Sequence, residues 1–464
     1  MRGRRWITSW DPNDDSFWKS EGWRIARRNL VFSIFAEFLG FSVWQLWSAV
    51  SVGLGKGGFH LTSLELFWLV GVPSLVGATA RFVYGAAVTV FGGRNWTVIS
   101  ASLLLVPTLL LGVVVQHPET PYWALLLVAA TAGFGGGNFA SSMANISFFY
   151  PDRIKGTALG LNAAGGNLGV AVVQFVVPGV IGLGILGLGV KTAGHTTLQW
   201  AGFLWVPFIV IAALCAYLFM DNLAVSRSTL RDQVAVVRRP HTWIMTWLYI
   251  GTFGSFIGYS AGLPLLIKIE FPDVNPLQFA FLGPLVGSVA RPFGGWLSDR
   301  VGGAVVTFWN FVVMIAATGV VIYTLSIRTQ PGAFAMFLTA FMVLFVATGV
   351  GNGSTFRMIP AIFRTERRRE ARGHAADGLA AVDAAGRRDA AAAIAVISAV
   401  AAYGGFIVPL CYGWSINLTG TAAGALACFA GFYVTCLAVT YGFYLRGSQP
   451  GTVQAPAALA EARV

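Results

Sequence analysis

Two stretches of the sequence repeat one pattern at an offset of 210 residues: Gly77-x-x-Ala80-Arg81-x-x-x-Gly85 and Gly287-x-x-Ala290-Arg291-x-x-x-Gly295. The same offset relates the double glycine at positions 92 and 93 to the one at 302 and 303. Each stretch lies in an apolar run that is long enough to cross a bilayer as a helix. A repeat of this length, with an arginine at the same point of each copy, indicates two related halves.

The composition indicates a membrane protein. Of the 464 residues, 56% are hydrophobic and 11% are charged, and the mean hydropathy is +0.69. A soluble protein would carry roughly 25% charged residues. We therefore predict an all-α membrane protein with twelve transmembrane helices in two pseudo-symmetric six-helix bundles. The predicted spans cover residues 29–54, 65–90, 95–116, 122–150, 156–186, 199–220, 242–268, 276–300, 304–326, 333–362, 391–416 and 421–446.

Basic residues are distributed unequally between the two sides of these spans. One side holds 24 of the 31 Lys and Arg residues, and the other holds four: Lys56, Lys191, Lys268 and Arg328. By the positive-inside rule, this bias places both termini in the cytoplasm. We expect a multi-pass protein of the bacterial inner membrane, and the net charge of +12 reflects topology rather than nucleic-acid binding.

The predicted domain layout follows from the spans. A cytoplasmic segment (1–28) precedes the first bundle (29–222), and a basic linker (223–241) leads to the second bundle (242–446). Within the second bundle, a long cytoplasmic loop (363–390) is Arg- and Ala-rich and is expected to form a helical extension of span 11. The tail (447–464) is predicted to be disordered. All four cysteines lie in apolar runs, so neither a metal site nor a cofactor is indicated.

Arg81 and Arg291 are the strongest functional signal, because each lies in the middle of a span. A charge at that depth costs about 3 kcal/mol or more and marks a polar cavity or an ion pathway. Glu37 is the one carboxylate well inside a span, and it cannot neutralise two arginines. A guanidinium offers a permanent charge and a planar fork of donors, which suits a flat oxyanion. A buried salt bridge is the alternative.

Small and polar residues are dense in the neighbouring spans. Spans 4, 5 and 7 carry many amide, hydroxyl and aromatic side chains, which are either contacts between helices or a hydrogen-bonding shell around the arginines. The double-glycine and glycine-rich motifs allow close helix packing, and with it gating. The glycines that we assign to this role are Gly165, Gly166, Gly351, Gly353, Gly404 and Gly405.

The two-half repeat is typical of the major facilitator superfamily, and Asp299-Arg300 resembles its cytoplasmic loop motif. Four stretches resemble the bacterial nitrate/nitrite porters of the NarK type: residues 138–151, 160–174, 347–356 and 402–409. The resemblance implies that one arginine from each half, here Arg81 and Arg291, binds the anion between the bundles. It further implies that Asn167 is the family's substrate-binding asparagine of span 5, that Tyr249 donates a hydrogen bond to the anion, and that Phe139 and Phe253 sandwich the anion.

The resemblance predicts a monomeric carrier of nitrate and nitrite, embedded in membrane lipid. The primary hypothesis is exchange of nitrate for nitrite, because an empty site would hold two uncompensated arginines at low dielectric. The alternatives are nitrate–proton symport through Glu37 and a passive anion channel. An enzyme is not indicated, since all five histidines lie in loops or at span edges. Arg357, near the end of span 10, is expected to snorkel or to pair with loop acids.

Overall fold

The computed structural model describes residues 6–183, 197–224, 235–371, 379–446 and 464, most of which are helical. In the first half of the chain the long helices are α1 (Asp15–Gly57), α2 (Ser63–Phe91), α3 (Gly93–Val114), α4 (Tyr122–Phe149), α5 (Asp152–Leu183) and α6 (Trp200–Phe219). Short breaks divide four of them. Their α-helical parts are Asp15–Phe17, Trp23–Trp44 and Leu46–Gly53 in α1, Gly93–Leu103 and Leu105–Val114 in α3, Tyr122–Thr131 and Phe134–Phe149 in α4, and Trp200–Phe203 and Trp205–Phe219 in α6.

The second half contributes α7 (Pro240–Glu270), α8 (Leu282–Val301), α9 (Gly303–Ser326), α10 (Ala333–Glu370), α11 (Leu379–Ala401 and Gly404–Thr419) and α12 (Ala423–Thr440). Short 3₁₀ turns lie at Leu54–Gly57 and Pro276–Gln278. Wider π-helical turns lie at Trp18–Gly22, Ile250–Gly254 and Tyr441–Leu445.

Eleven helices among the described residues are long and apolar enough to cross a membrane. The predicted span 276–300 is the exception. Its counterpart α8 has 20 residues but carries Arg291, Asp299 and Arg300, which lower its hydropathy. The prediction of an all-α membrane protein is confirmed.

The chain forms two compact units. Unit one comprises Met1–Ser228, Gly258–Leu285 and Gly405–Asn417, and unit two comprises Thr229–Ile257, Val286–Gly404 and Leu418–Val464. Arg81 therefore belongs to unit one and Arg291 to unit two. In unit one, Trp47, Leu69 and Trp205 are among the residues of a continuous apolar core.

The repeat in the sequence corresponds to a repeat in local structure. Gly92 and Gly302 both have positive φ, +87° and +95°, and each ends one helix immediately before the next begins. A side chain is strained in that conformation, so glycine is favoured at both turns. In unit one a Cβ on Gly77 would lie 3.1 Å from the carbonyl oxygen of Gly133, and in unit two one on Gly349 would collide with the carbonyl of Gly287. Small residues thus bring α2 against α4 and α8 against α10.

Within the predicted cytoplasmic segment 1–28, the described residues from Trp6 onward contain a short strand and helical turns. Strand β1 (Trp6–Ile7) pairs in parallel with β2 (Asn222–Leu223). The indole nitrogen of Trp10 donates to the carbonyl of Phe148 at 3.1 Å, and Arg153 pairs with Asp15. The α-helix of α1 begins at Trp23, before the predicted residue 29, because the basic turns that precede the apolar run are also helical.

The predicted loop 363–390 is mostly helical. α10 continues to Glu370, and the expected helical extension of span 11 is confirmed from residue 379. Ion pairs connect these ends to each other and to the start of α7: Arg367 contacts Asp389 at 2.7 Å, and Arg239 contacts Glu370 at 2.9 Å. The tail 447–463, most of the linker (225–234) and residues 184–196 lie outside the described residues.

Candidate anion-binding site

Arg81 lies in α2 and is only 2% exposed. Its Nε donates a hydrogen bond of 3.0 Å to the backbone carbonyl of Gly136 in α4. This contact exists because α2 and α4 approach closely at Gly77 and Gly133, which brings the backbone of α4 within reach of the guanidinium. The backbone of α4 thus fixes the orientation of Arg81.

Aromatic rings flank the same guanidinium. Its central carbon lies 4.7 Å from the ring centre of Phe139 and 5.2 Å from that of Trp44. The indole nitrogen of Trp44 donates to the carbonyl of Pro73 at 3.1 Å, which fixes the ring. Cation–π contacts of this kind are worth about 2 kcal/mol or more when desolvated. The structure therefore brings Arg81 and Phe139 together.

Asn167 lies in α5 and is 1% exposed. Neither atom of its amide group has a hydrogen-bond partner among the described residues, so it does not bond to Arg81. A buried amide left without a partner costs about 1–3 kcal/mol, which a bound polar ligand could offset. Asn138 in α4 and Asn352 in α10 are in the same situation.

Arg291 lies in α8 and is 5% exposed. Its Nη2 donates to the Tyr249 hydroxyl at 3.5 Å, which is the long limit for a hydrogen bond. Its central carbon lies 5.5 Å from the ring of Phe356 in α10. Its Nη1 is buried and has no hydrogen-bond partner among the described residues. Arg291 therefore has a donor available for a ligand.

Tyr249 and Phe253 stack on each other, with ring centres 5.3 Å apart and planes inclined by 17°. Tyr249 immediately precedes the π-helical turn Ile250–Gly254 in the middle of α7, and Phe253 lies within it. Such widened turns are frequent at functional sites, because they re-aim side chains within a helix. The structure thus brings together three predicted residues of unit two: Arg291, Tyr249 and Phe253.

Glu37 lies in α1 and is fully buried. One of its carboxylate oxygens accepts a hydrogen bond from the Ser142 hydroxyl and another, at 2.5 Å, from the Asn162 amide. Ser33 also donates to Ser142, at 3.2 Å. Glu37 is therefore part of a polar cluster that joins α1, α4 and α5.

The predicted packing glycines lie at close contacts. A Cβ on Gly165 would meet Ile34, one on Gly166 would meet Glu37, and one on Gly351 would meet Asn310. At Gly353 the obstacle is the backbone of Arg291, and at Gly404 it is the backbone of Gly254, 2.5 Å away. Gly405 is buried beside Gly404.

Two further predictions concern Arg357 and metal binding. Arg357 pairs with Asp299 at the end of α8, with 2.6 Å between Nε and the carboxylate. This agrees with the expectation of an acidic partner. Within the described ranges, no three His, Cys, Asp or Glu side chains lie close enough together to hold a metal ion.

The structure adds three residues to those predicted. Trp44 and Phe356 lie against the two guanidiniums, and Asn352 has a buried amide without a partner among the described residues. Phe356 and Asn352 lie in the span-10 stretch that carries the family resemblance, which could have pointed to them. Trp44 had no such signal, because its role depends on how α1 crosses α2.

Residues 30–377 of the chain match the family model of the Major Facilitator Superfamily. The nitrate/nitrite transporter NarU of Escherichia coli K12 is 44% identical over 448 residues, which cover 95% of this chain and 96% of NarU. NarU of Salmonella typhimurium is equally similar, at 44% identity and the same coverage. The protein of Thermus thermophilus named "Probable nitrate/nitrite antiporter NarK2" is 40% identical, over 95% of this chain and 97% of its own length.

Solved structures support the fold. The xylose transporter XylE of E. coli superimposes with a TM-score of 0.64 at 11% identity, covering 90% of this chain and 98% of XylE. A bacterial homologue of the human lysosomal transporter Spinster superimposes with a TM-score of 0.59 at 14% identity, covering 88% of this chain and 95% of the homologue. At such low identity these structures show the fold alone. The predicted major facilitator fold is confirmed.

Proposed function

Because the chain belongs to the nitrate/nitrite transporter family of the major facilitator superfamily, we propose that it carries nitrate and nitrite across the bacterial inner membrane by alternating access. The observation that carries this proposal is the pair of buried arginines at equivalent positions of the repeat. Arg81 and Arg291 are each at least 95% buried and lie against aromatic rings. The positive-inside bias supports a cytoplasmic location for both termini. The carrier is proposed to act as a monomer.

Both arginines are proposed to hold the same anion. Each guanidinium supplies permanent charge and parallel N–H donors, which match the trigonal oxygens of nitrate. Nη1 of Arg291 and the amide group of Asn167 have no hydrogen-bond partner in the part of the chain that the structure describes, which supports this assignment. Tyr249 supplies a further donor, and Phe139 and Phe253 offer flat faces to a planar ion.

Exchange is the proposed mechanism. Without an anion, two guanidiniums would remain in a closed, low-dielectric protein interior, and such uncompensated burial is strongly unfavourable. The bound anion removes much of this penalty, so the loaded carrier crosses between its states more readily than the empty one. The name of the Thermus relative, "Probable nitrate/nitrite antiporter NarK2", accords with this mechanism.

Counterflow in proteoliposomes tests the proposal. Labelled nitrate should enter vesicles loaded with nitrite or nitrate much faster than empty vesicles, and an imposed pH gradient should change the rate little. Uptake into empty vesicles that follows external acid would instead support nitrate–proton symport, the alternative that Glu37 keeps open. Ion currents without stimulation by internal anion would support a channel.

A further inference from the structure

A groove of about 460 Å³ lies along the beginning of α1. Its walls are formed by Trp23, Arg24, Arg27, Arg28, Val31 and Phe32. The positions repeat at spacings of three and four, so the side chains share one face of the helix. This surface, which we call the α1 groove, is not part of the candidate anion-binding site.

The charged end of the α1 groove has two uncompensated cations. Arg28 pairs with Asp221 at 2.5 Å, and Asn29 donates to the same carboxylate at 3.0 Å. Arg24 and Arg27 are exposed, and neither makes an ion pair or a hydrogen bond with a described residue. Glu21, one helical turn before Arg24, makes no ion pair with it. The groove therefore presents two guanidiniums that can bind an anionic group.

The other end of the groove is apolar and exposed. Val31 is 52% exposed, and Phe32 stacks on Phe219 of α6 with ring centres 5.1 Å apart. Phe219 is 44% exposed, so the stacked pair continues the apolar surface from α1 to α6. Exposed aliphatic and aromatic side chains on a transmembrane helix contact lipid chains.

The length of the groove matches a phospholipid. From Arg24 to Val31 the helix rises by about 10 Å, at 1.5 Å per residue. That distance separates a charged headgroup zone from the upper part of an acyl chain. Trp23, which is 48% exposed, lies at the charged end, where interfacial tryptophans are enriched. A soluble phosphate compound would use the arginines but would leave the apolar end unoccupied.

We propose that the α1 groove binds an anionic glycerophospholipid. Arg24 and Arg27 bind the phosphate diester, and one acyl chain lies along Val31, Phe32 and Phe219. The predicted orientation puts the start of α1 at the cytoplasmic leaflet, where anionic lipids attract basic segments. Because Asp221 already joins α1 to the end of α6, a bound lipid would reinforce a junction between two helices.

The test uses the purified full-length chain in detergent, with phosphatidylglycerol and phosphatidylcholine of identical acyl chains as probes. Native mass spectrometry measures bound lipid, and thermal unfolding measures stabilisation. We expect phosphatidylglycerol to bind at least tenfold more tightly than phosphatidylcholine and to raise the melting temperature. R24Q/R27Q should lose about tenfold or more of that affinity, since each basic side chain at a membrane surface contributes about 1 kcal/mol. R24K/R27K should keep most of it.

The matched control is R388Q/R446Q, which removes two positive charges from exposed positions elsewhere. It should bind phosphatidylglycerol like the unmodified chain. Equal binding of the two lipids would overturn the proposal in favour of non-specific charge attraction. The same would follow if R388Q/R446Q lost as much phosphatidylglycerol affinity as R24Q/R27Q. Glycerol 3-phosphate that competes as well as the lipid would also overturn it, because a soluble phosphate would then be sufficient. Nitrate binding should be unchanged in R24Q/R27Q.

Discussion

Arg81 and Arg291 occupy equivalent positions in the repeat, but the two units hold them differently. Arg81 donates from Nε to a backbone carbonyl at 3.0 Å, and its guanidinium contacts two aromatic rings, with ring centres at 4.7 and 5.2 Å. Arg291 has one long contact of 3.5 Å to a tyrosine hydroxyl and one ring at 5.5 Å. The same sequence pattern thus gives a tightly held arginine in unit one and a loosely held one in unit two.

The difference has an energetic consequence. An arginine side chain carries about 2 kcal/mol of rotamer entropy, which is lost when the side chain becomes fixed. For Arg81 this loss has occurred on folding, whereas Arg291 loses more of it when the anion binds. We infer that Arg81 is the preorganised arginine of the proposed site and that Arg291 is the adaptable one.

The largest effects are expected for Arg81→Lys and Arg291→Lys. Lysine keeps the charge but loses the planar fork, so nitrate binding should weaken by about 2–4 kcal/mol, roughly 30- to 1,000-fold. The larger loss should occur in Arg81→Lys, which also loses the bond to Gly136. Calorimetric titration of the monodisperse variants with nitrate measures the loss of affinity in each. Nearly unchanged affinity in either variant would contradict the two-arginine site, and equal losses would contradict the proposed asymmetry.

The next effect concerns the aromatic faces. Phe139→Ala and Phe253→Ala should weaken nitrate binding by about 0.5–1.5 kcal/mol, up to roughly tenfold, and chloride binding by less, because a planar anion loses a stacking surface. Phe139→Ala should have the larger effect, since its ring also contacts Arg81 while Phe253 stacks on Tyr249. Competition binding with both anions measures the ratio of nitrate affinity to chloride affinity in each variant. If nitrate and chloride weaken equally, these rings act only as core packing.

Tyr249→Phe should have a smaller effect. The variant keeps the ring stacked on Phe253 but loses the hydroxyl, so nitrate affinity should fall by about 1 kcal/mol, roughly fivefold. Tyr433→Phe is the matched control, because Tyr433 donates to Ser255 at 2.8 Å, a bond between α12 and α7. The control should lower the melting temperature and leave nitrate affinity unchanged. An unchanged affinity in Tyr249→Phe would remove the hydroxyl from the proposed site.

Most of the fold could be predicted from the sequence, because apolar length and repeat spacing report directly on membrane helices. The helix ends were less predictable. Hydropathy marks the lipid-facing part of a helix, whereas hydrogen bonding and ion pairs extend α1 back to Asp15 and α10 on to Glu370. α8 falls outside the apolar helices for a different reason, since Arg291, Asp299 and Arg300 lower its hydropathy.

The candidate site was predictable in part. Arg81 and Arg291 stood out because charge in an apolar span is rare, and the resemblance supplied Phe139, Tyr249 and Phe253. The ring contacts of Trp44 and Phe356 depend on side-chain rotamers and helix crossings, which the sequence does not encode locally. The asymmetry between the two arginines was likewise invisible, because Gly136 contributes through its backbone carbonyl.

The smallest effect is expected for Glu37→Gln, which separates exchange from symport. The accepting carboxylate oxygen receives hydrogen bonds from Ser142 and Asn162, and the amide oxygen of glutamine can accept both. The cluster of α1, α4 and α5 should therefore persist, and nitrate–nitrite counterflow should stay within about twofold of the unmodified rate, a change of about 0.4 kcal/mol in the barrier. Symport would require a group that gains and loses a proton, which arginines do not do. Strong acid-driven uptake into empty vesicles, lost in Glu37→Gln while counterflow remains, would replace exchange by symport and assign the proton to Glu37.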